Sequence, residues 1–61
     1  MGADELREFA AKIEALRAEI FCGDYSGLSP EAEQNLCLSL DALSSARHHM
    51  KIAIYRQMKK E

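Results

Sequence analysis

Few residues of this 61-residue chain are equipped for chemistry, and Arg47 is the first of them. It interrupts a heptad-spaced run of Leu36, Leu40, Leu43, Met50 and Ile54, where another aliphatic residue is expected. A guanidinium in apolar surroundings is costly unless an anion meets it. One outcome is a salt bridge between helices, or a polar seam residue that sets their register. The other is an anion pocket lined by arginines from neighbouring chains, because the Arg fork donates two hydrogen bonds to phosphate. His48 and His49 adjoin Arg47, but adjacent helical residues point about 100° apart, so the pair cannot chelate one metal as an i, i+4 pair would. We read His48 as a surface residue and His49 as half-buried, hydrogen-bonded and close enough to Arg47 to join its polar pocket.

In the first half of the chain, Phe9 fits an apolar heptad, which makes it a core residue. An aromatic at a seam between chains can also stack on a nucleobase. Lys12 lies one turn away; it is either solvated surface or a phosphate contact. Tyr25 and Tyr55 either stack or pack. No Gly-rich phosphate loop, nucleophile–base pair or paired carboxylates in a cleft can be recognised, so catalysis is not expected, and neither a cofactor nor a metal is implied.

The elements that must position these residues are two helices. Leu6, Phe9, Ile13, Leu16 and Ile20 alternate in steps of three and four, the repeat of a helix packed lengthwise on another. Interleaved alanines favour helix, and Asp4 and Glu5 suit its positive end. The first helix is predicted over about 4–22. Gly23-Asp24-Tyr25-Ser26-Gly27 is turn chemistry, and Ser29-Pro30-Glu31 restarts a helix, with Ser29 as cap and Pro30 in the first turn. The turn occupies 23–29. With no later Pro or Gly, the second helix is predicted over about 30–59, roughly 45 Å at 1.5 Å per residue. The fold class is therefore all-α, a single helical-hairpin domain over 1–61.

Burial is the difficulty. The second helix carries one apolar stripe through Leu36, Leu40, Leu43 and Met50, and another set off it: Leu38, Ala42, Ala46, Ile52, Ala53 and Tyr55. One short partner cannot cover both. Chains below about 70–80 residues rarely stabilise themselves by a single core, yet 48% of these residues are hydrophobic. Association with further copies is the expected remedy. Cys22 and Cys37 do not form a zinc motif; they read as reduced, buried thiols of a cytosolic protein, with a disulfide linking the helices as the alternative. No apolar run reaches membrane-spanning length. Met1-Gly2 lacks the Ser or Thr at position six that myristoylation favours, since Leu6 stands there.

The net charge of −2 argues against general DNA or RNA binding. Charge is nevertheless ordered along the chain. Residues 1–24 hold six acids and three bases, 25–46 three acids and no base, and 47–61 five bases and one acid. The basic end suits the negative pole of the second helix.

At Ser45-Ala46-Arg47-His48-His49-Met50-Lys51-Ile52-Ala53 the chain resembles phage anti-CBASS protein two, whose helical hairpin has a relative in Thoeris anti-defence protein one. The helix start Ser29 to Ala32 and the stretch Lys12 to Leu16 are similar too. The resemblance implies a compact helical homo-oligomer, typically a hexamer, in the cytoplasm of an infected bacterial host. There it would bind cyclic di- or trinucleotide signals and keep them from an immune effector without turning them over. By that resemblance Lys12 meets phosphate, Phe9 stands where the stacking aromatic is sought, and Arg47 and His49 line a pocket at a junction of chains. Symmetric cyclic nucleotides match the two-fold and three-fold axes of a homo-oligomer, which multiply a single Arg47 into two or three. The competing reading is a helical-hairpin adaptor or small regulator with no nucleotide ligand.

Overall fold

The computed structural model describes residues 1–60. It is an antiparallel hairpin of α1 (Ala3–Phe21) and α2 (Pro30–Lys60). The molecule is 47 Å long and about 15 Å across, so its length is that of α2. Both helices lie within a residue of their predicted bounds.

Local rules account for each end. Gly2 caps α1 with its backbone carbonyl, which accepts from Leu6 N–H at 3.2 Å, while Asp4 and Glu5 place negative charge in the first turn. At the other end, Cys22 N–H donates to Ala18 O at 3.0 Å and Gly23 N–H to Ile20 O at 3.1 Å. The Tyr25 hydroxyl also donates to the Ile20 carbonyl, tying the turn back to the helix it leaves. Asp24 accepts from Ser26 N–H at 3.0 Å, and this backbone donor is the main reason its carboxyl is held below the ordinary value. Ser29 then caps α2 as expected, its Oγ accepting from Ala32 N–H at 3.2 Å.

Side-chain bonds between the helices set the register. Arg17 Nε donates to Ser44 Oγ at 2.8 Å, Arg47 Nη1 to Glu14 Oε1 at 2.8 Å, and Arg7 Nη2 to Met58 Sδ at 3.0 Å. Continuing this antiparallel register places Phe21 opposite α2 near Leu40. The first three turns or so of α2 therefore extend past α1, and the connection 22–29 must run back to reach them.

The seam of α1 differs from the expected stripe at one position in each heptad. Toward α2, α1 presents Leu6, Ala10, Ile13, Arg17 and Ile20, all half-buried. Phe9 and Leu16, expected in the seam, remain 41% and 48% exposed. Two heptad stripes share Leu6, Ile13 and Ile20, and the one containing Ala10 and Arg17 faces α2. A small residue at Ala10 permits close approach, and Arg17 reaches Ser44 only from that face. On α2 the stripe Leu36, Leu40, Leu43, Arg47, Met50 and Ile54 is half-buried as expected.

One hairpin buries little. Ala3, 3% exposed, is the single buried residue among those described. Cys22 and Cys37 are free thiols but exposed, contrary to the expected burial, because each lies outside the one face that a single partner helix covers. Leu38 is 57% exposed on the far side of α2. Among the described residues, no helix is long and apolar enough to cross a membrane.

Candidate functional site

Phe9 and Lys12 are brought together on the outer side of α1. The Lys12 ammonium stands 5.7 Å from the centre of the Phe9 ring, a separation of three residues that a helix converts into adjacency. Exposure of the ring results directly from the choice of seam stripe. Chemically, the pair combines an exposed apolar ring with a positive charge over one of its faces, which leaves the other face to stack. Such a pair can hold a planar base against the ring and a phosphate beside it.

Arg47 is half-buried in the seam and engaged. Its guanidinium donates to Glu14 across the interface, so the charge meets an acid of the same chain. That hydrogen bond, with the positive fields of Arg47, Arg17 and Lys51, holds the Glu14 carboxyl below its ordinary value of 4.5. The pair is the first of the two outcomes weighed for an arginine at this position. It is also partly solvated, with 35% of the Arg47 side chain and 47% of the Glu14 side chain exposed. Water and ions therefore reach it.

His49 does not join Arg47 within one chain. Residues two apart on a helix point to nearly opposite sides, so Arg47 faces α1 and His49 is exposed on the far side of α2 instead of half-buried. Its ring meets His48 edge-on, with centroids 5.5 Å apart. Among the described residues, no group of His, Cys, Asp and Glu gathers as a metal site would.

One feature escaped the sequence reading. Lys59 stands 4.7 Å from the centre of the exposed Tyr55 ring, a second aromatic–cation pair, on the basic end of α2. The signal was present as a Tyr and a Lys four residues apart, a helical neighbour spacing. Tyr25, by contrast, is occupied in the turn.

The hairpin encloses no cavity among its described residues, so its recognition chemistry lies on its faces. Together these features define a two-helix hairpin with cationic and aromatic groups on its surface. No family model, curated protein or solved structure matches the chain.

Proposed function

We propose that this chain is an oligomeric sponge for cyclic oligonucleotide signals, acting in the cytoplasm of an infected bacterium. It binds cyclic dinucleotides, and a trinucleotide by a separate set of groups, without turnover and without a cofactor or metal. The observation that carries this reading is the exposed Phe9 ring with the Lys12 ammonium over it. A cyclic dinucleotide offers two bases to stack and two phosphodiesters to neutralise. A homo-oligomer, a hexamer by the resemblance, repeats the Phe9–Lys12 pair around its axes so that one ligand meets two copies. Each site is then formed where chains meet, which suits a hairpin with no interior cavity. Arg47 and His49 serve the trinucleotide pocket from different chains, since within one chain they face apart.

The second reading, a hairpin adaptor for another protein's helix, is favoured by one observation. Arg47 already has its acid in Glu14 and requires no ligand anion.

Native mass spectrometry of the protein with cyclic di- and trinucleotides separates the two readings. The sponge gives an oligomer that gains ligands in whole-number steps. An oligomer that ignores every cyclic nucleotide refutes it and leaves the adaptor.

A further inference from the structure

The two flanks of the hairpin are chemically different. In an antiparallel pair, one flank is formed by corresponding sides of both helices. On one flank lie bonds that join α1 to α2, through Arg7, Glu14, Arg17, Ser44, Arg47 and Met58. On the other lie Phe9 and Leu16 of α1, and Ala42, Ala46 and Ala53 of α2. The register sets Leu16 level with Ala46, and Phe9 level with Ala53. Large, half-exposed apolar groups thus stand beside a low strip of alanines. Small residues let a second helix approach closely.

Charge along α2 says which helix. Near the side of α2 that carries Ala46 and Ala53, Glu31 stands at the N-terminal end, and Arg56 and Lys60 at the C-terminal end. A parallel neighbour of the same kind would set like charges together, whereas an antiparallel one sets acids against bases. We infer that the Phe9–Leu16–Ala46–Ala53 flank is an interface with a second copy of this chain, related by a two-fold axis that runs the two α2 helices antiparallel past each other. The contact is self-complementary, as a two-fold interface must be. It brings the Phe9 side of each copy to the other, so it deepens the assembly part of the proposed function while making no use of a ligand.

The test uses ligand-free protein, so that failure of nucleotide binding leaves it unaffected. Light scattering on a sizing column should give the parent an even multiple of the chain mass. Ala46→Glu places a charge in the interface and should halve that mass at least, whereas His48→Glu, on the other side of α2, should leave it unchanged. Circular dichroism reports whether each variant remains helical. Should Ala46→Glu unfold, cross-linking decides. In a Cys22→Ser, Cys37→Ser background, Asn35→Cys and Ala53→Cys lie on one line of α2, five turns apart at 3.6 residues per turn. Mixed and treated with a short bis-maleimide, they should join 35 of one copy to 53 of the other and neither position to itself. A monomeric parent, self-linking at position 35 or 53, or dissociation by His48→Glu in place of Ala46→Glu overturns the inference.

Discussion

Phe9 and Leu16 form a natural pair of controls, because they share a flank and are buried to nearly the same degree. Phe9 is 41% exposed, so about three-fifths of its side chain is out of water in the single hairpin. Full burial of a Phe or Leu side chain contributes roughly 1.5–3 kcal/mol, so Phe9→Ala should cost about 1–2 kcal/mol of stability. Leu16, 48% exposed, should cost nearly as much when cut to alanine, about 1–1.5 kcal/mol. Urea denaturation followed by circular dichroism measures both. Ligand affinity should separate them. Base stacking on an aromatic contributes about 1–3 kcal/mol, so Phe9→Ala should weaken binding of a cyclic dinucleotide by roughly 5- to 150-fold beyond any loss through assembly. Leu16→Ala has no stacking face to lose and supplies the assembly baseline. Phe9→Tyr should keep most of the affinity. Calorimetric titration at protein concentrations where all variants retain their parent mass gives the comparison. Equal loss of affinity in Phe9→Ala and Leu16→Ala would refute the stacking role, because the common factor would then be the apolar flank alone.

Three further outcomes follow from named contacts. Arg47→Ala should abolish uptake of cyclic trinucleotides in native mass spectra while leaving dinucleotide uptake and the oligomer's mass largely unchanged; collapse of the assembly, with no ligand affinity in the parent, is the result that makes Arg47 purely structural. The folded-state pKa of Glu14 is lowered, so its stabilising contribution is complete above the ordinary value of 4.5 and is lost as pH falls through the lowered one. Between about pH 6 and about pH 3 the parent's urea midpoint should therefore fall further than that of Glu14→Gln, and parallel pH curves would refute this coupling. Ser29→Ala removes the side-chain cap of α2 and should cost about 1 kcal/mol in the same denaturation assay, with Ser29→Asp restoring most of it.

Local chemistry was the legible part of the sequence. Ser29-Pro30 starts α2 because a hydroxyl cap and a residue lacking N–H both suit a helix beginning. Gly23 to Gly27 ends α1 because the apolar repeat stops there. The α2 seam was readable as well, since Leu36, Leu40, Leu43, Met50 and Ile54 keep one heptad stripe of large aliphatic residues, beside a second set made mostly of alanines. The α1 seam was not. Leu6, Ile13 and Ile20 belong equally to a stripe with Phe9 and Leu16 and to one with Ala10 and Arg17, and hydrophobicity favours the wrong one. What decides between them is a contact distant in sequence, Arg17 with Ser44. The exposure of Cys22, Cys37 and His49 has a related origin. A periodicity says which residues share a face, but not how many faces one chain can cover. For the candidate site, Phe9 with Lys12 was visible as a three-residue spacing, while the engagement of Arg47 by Glu14 needed the register of two helices.

The bonds of Arg7, Arg17 and Arg47 from helix to helix lie along one edge, like the stitching of a book's spine. Stitching along a spine prevents the pages from sliding but leaves the fore-edge able to open. Sliding α1 by a single turn would break the contacts of Arg7, Arg17 and Arg47 at once. A small swing about the spine would keep all three and widen the gap between Phe9 or Leu16 and the alanines of α2. The hairpin is thus rigid in register and compliant in splay.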